Sequence, residues 1–116
     1  MRVLITGSRE WSDRECVRRE LTRLPRGTTI IHGAARGADR LAGEVANALG
    51  FQVEAHPPDW RRYGRGAGFV RNRQMVEEGK PDLVIAFHPA LERSKGTLHT
   101  VTLAKKAGIR VLVVAG

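Results

Sequence analysis

Residues 28–50, TTIIHGAARGADRLAGEVANALG, constrain this chain more than any other stretch, because they pass from a strand period to a helix period across a glycine-rich turn. Thr28, Thr29, Ile30 and Ile31 form a β-branched run that ends at His32-Gly33. Ala38, Leu41, Ala42, Val45, Ala46 and Leu49 then recur at the spacing of one helical face, and Gly50 is a suitable stop. Strand, tight turn and helix in that order bring bare backbone N–H groups and a helix N-terminus to one place. Such a place favours an anion, since the first helical N–H groups lack partners and the helix dipole adds partial positive charge. Phosphate is the expected anion.

The same alternation runs through the whole chain. Residues 2–6 read as a buried strand that stops at Gly7-Ser8, and residues 13–24 as a helix capped by Ser12 or Asp13, with Val17, Leu21 and Leu24 inward. Residues 51–55 alternate through Phe51, Val53 and Ala55, which suits an edge strand with one wet face. Residues 57–68, PPDWRRYGRGAG, are the one long irregular segment, either a lid covered by Trp60 and Tyr63 or an ordinary surface loop. A helix over about 67–78 precedes Leu83–Phe87, the most continuously apolar strand and therefore an interior one. A loop at 90–96, a helix at 97–107 and a strand at Arg110–Ala115 complete the chain.

This pattern predicts a single Rossmann-like α/β domain over residues 1–116, a three-layer α/β/α sandwich around a five-stranded parallel sheet of order 3-2-1-4-5. Ligands in such sheets bind beyond the carboxyl ends of the strands, where the strand order reverses. The loops after strands one, two and four flank that spot.

Composition narrows the partners only partly. Twenty Lys and Arg against twelve Asp and Glu leave a formal charge of +8, which attracts polyanions and leaves nucleic acid, nucleotides and simple solubility all open. The one cysteine, Cys16, excludes an internal disulfide and reads as a small packed residue. His32, His56, His88 and His99 have no ligand-like spacing, so neither a metal nor another cofactor is expected. No apolar run approaches a membrane span, and the cytoplasm is the expected compartment. The Val111-Leu112-Val113-Val114 run near a sheet edge points to a homo-oligomer.

Three loops carry the candidate chemistry. In Gly7-Ser8-Arg9, a tight turn, a hydroxyl and a guanidinium suit phosphate oxygens, while Trp11 either stacks on a base or packs as a lid on the core. The second loop runs from His32 through Gly33, Ala34, Arg36, Gly37 and Ala38 to Asp39, whose carboxylate either accepts a ribose hydroxyl or favours the helix's first turn. Ser94, Lys95, Gly96 and Thr97 repeat that logic at the start of the last helix. Arg71, with Asn72 and Met75, lies near the start of the preceding helix, and Arg71 either reaches into the cleft or belongs to a solvated basic face.

Together these motifs resemble the SLOG superfamily, and within it the small YspA-like branch of bacterial and phage proteins. The resemblance rests on Gly7-Ser8-Arg9 with Trp11, on residues 32–39, on Arg71-Asn72 with Met75, and on Ser94-Lys95-Gly96-Thr97. It implies a Rossmann-like domain that binds a nucleotide or nucleotide-derived ligand, for sensing or sequestration. The related LOG-type phosphoribohydrolases cleave nucleoside monophosphates and carry Arg-Lys-x-x-Met and Gly-Gly-x-Gly-Thr-x-x-Glu patterns. Here Asn72 replaces the Lys, Ser94 a glycine, and Thr100 the catalytic Glu. Hydrolysis would therefore need Asp39, Glu92 or Glu10 as its carboxylate, with Arg71 polarising the leaving group. The DNA-processing protein of natural transformation is similar at residues 7–9 and 32–39, which adds single-stranded nucleic acid as a further candidate, with Trp60-Arg61-Arg62-Tyr63 as the stacking loop.

Overall fold

A computed structural model describes residues 1–116. Five strands, β1 (Arg2–Gly7), β2 (Thr29–His32), β3 (Gln52–Ala55), β4 (Leu83–Phe87) and β5 (Arg110–Val114), form one parallel sheet of order β3-β2-β1-β4-β5. The helices are α1 (Arg14–Thr22), α2 (Ala38–Ala48), α3 (Trp60–Tyr63), α4 (Ala67–Glu77) and α5 (Gly96–Lys106). This is the expected Rossmann-like order. None of the helices is long and apolar enough to cross a membrane.

The two-residue period of the strands divides the apolar residues between two layers. Val3, Ile5, Ile30, Ile85 and Phe87 face α1 and α2, where they meet Cys16, Val17, Leu21, Ala42, Val45 and Ala46. Leu4, Ile31 and Val84 face the other way, onto Met75 and Val76 of α4 and Ala104 of α5. Two buried faces explain why β1 and β4 are apolar without alternation. The strand β3 is an edge, but its wet face is not simple: Glu54 is half-buried because it pairs with Arg2 at 2.9 Å and His56 at 2.8 Å. At the opposite edge, Leu112 and Val113 of β5 are exposed.

Local signals set the boundaries. Asp13, rather than Ser12, caps α1 and accepts from the Cys16 N–H at 3.1 Å. The segment 57–68 is more ordered than its composition predicts. Asp59 caps the single turn α3 by accepting from Arg62 N–H at 3.1 Å, and a 3-10 turn at Gly64–Gly66 leads into α4. That turn of helix has no buried residue, so it leaves no apolar period in the sequence. The expected loop at 90–96 likewise contains a 3-10 turn, Leu91–Arg93.

Loops one and two touch closely at two glycines. A Cβ on Gly7 would stand 2.7 Å from the Ala38 Cβ, and one on Gly37, where φ is +77°, would stand 2.6 Å from the Arg9 carbonyl. Gly37→Ala should therefore lose on the order of 3 kcal/mol, combining backbone strain with displacement of loop one. Urea unfolding measures this; a loss under about 1 kcal/mol would show that the two loops are not tightly interlocked.

Candidate functional site

The strand order reverses between β1 and β4, and a cleft of about 390 Å³ opens there at the carboxyl ends of the strands. Thr6, Gly7, Ser8, Arg9 and Glu10 form one wall, Ser94, Lys95, Gly96 and Thr97 the opposite one. Asp39, Ala35, Arg71, Asn72, Met75 and His88 complete the lining. The structure thus gathers residues from the first, second and last loops and from α4.

Four N–H groups of the glycine-rich turn already have partners. Asp39 folds back so that one carboxylate oxygen, Oδ2, accepts from Gly33 N–H at 2.9 Å and Ala35 N–H at 3.4 Å. The Ala34 N–H donates to His32 Nδ1 at 3.0 Å and the Ala38 N–H to the Ser8 carbonyl at 3.1 Å. Bare N–H groups in this turn are therefore fewer than expected: those of Gly33, Ala34, Ala35 and Ala38 are engaged, and those of Arg36 and Gly37 are not. Further unengaged N–H groups lie on Arg9 in loop one and on Lys95 and Gly96 at the start of α5. Ser94 Oγ accepts from Thr97 N–H at 3.0 Å, which fixes the first turn of α5 at the wall of the cleft.

Arg71 is held by two hydrogen bonds. Its Nη1 donates to the Gly33 carbonyl, and its Nε donates to Asn72 Oδ1 at 2.8 Å. Asn72 in turn donates through Nδ2 to the Gly96 carbonyl at 3.4 Å, so it ties the arginine of α4 to the start of α5. Gly33 accepts this close approach because a Cβ there would stand 2.8 Å from the guanidinium carbon. Arg71 therefore reaches the cleft, and the alternative of a solvated face is set aside.

The electrostatics are mixed. Arg9, Arg71 and Lys95 bring positive charge, while Asp39 and Glu10 bring negative charge. Burial pushes the Asp39 carboxyl up to about 6, against the opposing pull of the Gly33 and Ala35 N–H groups and of Arg71 and Arg9. Burial, with His56 and Arg71 adding to it, lowers His32, so its ring is neutral near pH 7 and free to accept at Nδ1. No three His, Cys, Asp or Glu side chains come together as a metal site.

A second lobe of about 350 Å³ adjoins the first and shares Arg9, Ala35 and Arg71 with it. Gly33, Ala34 and Arg36 of the candidate set fall here, together with Arg40, Pro58 and Trp60.

Several candidate residues lie outside both lobes. Trp11 is 8% exposed, with its ring tilted onto Phe87 at 5.5 Å and its indole N–H donating to the Asp13 carbonyl; it packs on the core and does not face a ligand. His32 is buried beneath its loop, where Gly43 of α2 leaves room for its ring. Gly37 and Ala38 pack against loop one. Glu92 is turned to an outer surface beside Phe69 and His99 by the 3-10 turn that carries it, so it is not at the cleft. Thr6 and Ala35 line the first lobe without having been singled out as ligand-binding; His88, which its place at the end of β4 points to the cleft, lines it as well.

Fold and cleft together define a Rossmann-like α/β protein with a polar, arginine-bearing cleft at its switch point. The sequence signature of the YspA, cpYpsA-related SLOG family matches residues 1–63, and the chain belongs to that family. The chain is also 46% identical over 120 residues to the gene 61 protein of Mycobacterium phage D29, an alignment covering 96% of this chain and 94% of that protein. Family membership associates the chain with nucleotide-related function.

Proposed function

We propose that this protein binds a nucleotide or a nucleotide-derived small ligand, for sensing or sequestration, at the carboxyl ends of its parallel strands. The observation that carries the reading is the convergence of unengaged N–H groups of Arg9, Lys95 and Gly96 with the side chains of Arg9, Arg71 and Lys95 around one cleft. Backbone donors and a helix N-terminus take phosphate oxygens, and the guanidinium forks add charge-assisted bonds. Ser8 Oγ lines the same cleft and can take a sugar hydroxyl.

A panel of nucleoside mono-, di- and triphosphates tests this by thermal unfolding. At about a hundredfold excess over Kd, one ligand per chain stabilises by about 2.7 kcal/mol, which is a rise of roughly 10 °C in Tm for a chain of this size. A panel with no saturable shift would overturn the reading.

One observation favours a second, catalytic reading. Asp39 Oδ1 accepts no bond from the protein, and the group lines the cleft beside Arg71 with its pKa raised to about 6. Thr100 cannot serve instead, being fully buried and donating to the Gly96 carbonyl. A glycosidic hydrolase would use Asp39 to stabilise the ribosyl cation and would release free base. Release that persists in Asp39→Asn would remove this assignment.

A further inference from the structure

The second lobe is not explained by a mononucleotide in the first. Arg9, Arg36, Arg40 and Arg71 line it with no carboxylate, although Glu10 reaches Arg36 from outside at 2.8 Å. Its other wall is Pro58 and Trp60. Trp60 is 55% exposed, and its indole N–H donates to no protein group. Asp59 caps α3, the turn that carries Trp60 at this lobe. An exposed tryptophan facing several guanidinium groups offers a stacking face and anion donors at one place.

Each lobe, at about 390 and 350 Å³, lies near the lower limit for a small-molecule site, about 300 Å³. One nucleotide occupies one of them. Arg9 and Arg71, common to both, stand where a linking phosphate would lie.

We infer that the ligand is extended: two nucleotide units joined through phosphate, the first in the switch-point cleft, the linking phosphate at Arg9 and Arg71, and the second ring stacked on Trp60. This rests on the nucleotide reading above and goes beyond it by assigning Trp60, Arg36 and Arg40 to a second subsite. Stacking on one aromatic side chain strengthens binding by about tenfold or more.

Calorimetric titration tests it with four mononucleotides, the matching 5′–5′ dinucleoside diphosphates, the 5′-phosphorylated 3′–5′ dinucleotides, and an oligonucleotide of about 15 residues. The expected result is that one dinucleotide, of either linkage, binds at one site per chain about tenfold or more tightly than its mononucleotide. Trp60→Ala should erase that gain and leave the mononucleotide Kd within about twofold, while Trp60→Phe keeps part of it. Because Trp60 is exposed and α3 has no buried residue, the variant keeps its fold, which circular dichroism verifies.

Mononucleotides binding as tightly as dinucleotides would overturn the second subsite and leave the proposed function standing. So would an equal loss of mononucleotide affinity in Trp60→Ala. Affinity that climbs up to the longest oligonucleotide, with a steep fall in salt, would replace the small ligand by a nucleic-acid strand. No binding by any nucleotide would overturn the proposed function itself.

Discussion

Asp39→Asn is expected to stabilise the free protein by about 3 kcal/mol at neutral pH and to leave its stability unchanged near pH 4. The sign follows from the raised pKa. The folded protein holds this carboxyl at about 6 against an ordinary 3.8, so it binds the proton more tightly than the unfolded chain does. The stability that this proton confers is complete below the unfolded value and is lost as pH rises through 6. Asparagine keeps an acceptor for the Gly33 and Ala35 N–H groups while carrying no charge, so it reproduces the protonated form at every pH. Alanine does not make this test, because it would leave both N–H groups without a partner.

Urea unfolding of both proteins from about pH 4 to 7.5 is the measurement, and their difference isolates Asp39 from the other carboxylates. Glu54 is the reason the difference is needed. Its hydrogen bonds to His56 and Arg2 lower its pKa, so its contribution is lost as pH falls and runs against that of Asp39. Equal stability of the two proteins at neutral pH would mean that the buried carboxylate carries no ionisation penalty. A charged group that destabilises the fold where it lines a cleft is the usual mark of a site kept for function.

Arg71→Ala should weaken nucleotide binding by about a hundredfold, roughly 3 kcal/mol, since it removes a half-buried, charge-assisted partner of the phosphate. The expected effect exceeds that of any other single arginine, because Arg71 lies in both lobes and is held in place before a ligand arrives by Gly33 and Asn72. Arg71→Lys keeps the charge but not the planar fork, and should recover only part of the loss. The alanine variant should also show a steeper pH dependence of stability. Arg71 is one of the groups that pull Asp39 down, so its removal lets that carboxyl rise further. Titration calorimetry on the three proteins reads the affinities; an Arg71→Ala Kd within about threefold of the original would remove this residue from the site.

The sheet was legible because each strand carries its position in its own pattern. Unbroken apolar runs in β1 and β4 require cover on two faces, and the broken pattern of β3 requires an edge. Right-handed crossovers then leave the order 3-2-1-4-5, and with it the place where the loops meet. Which atoms in those loops face a ligand was not legible. Asp39 suited a ribose hydroxyl or the dipole of the helix's first turn, but its side chain returns to Gly33 and Ala35 and closes part of the turn that seemed most open. Trp11 was equally suited to a base or to the core, and the position of Phe87 decides for the core. Glu92 is carried outward by a 3-10 turn too short to leave a periodic signal. The second lobe is assembled from Arg36, Arg40 and Trp60, which lie far apart in sequence, in the turn before α2, in α2 and in α3, and meet only through the tertiary fold.

The central claim is that amides of loop one and of the start of α5 receive the phosphate, and amide NMR on titration with the mononucleotide panel reads those groups directly. The expected result is saturable shifts of the Arg9, Lys95 and Gly96 resonances, with one ligand per chain and little change at Gly33 and Ala35, whose N–H groups stay on Asp39. Unchanged Arg9, Lys95 and Gly96 resonances, with shifts instead at Arg14, Arg18 and Arg19 on the basic face of α1, would contradict it and leave only unspecific attraction to a charged surface.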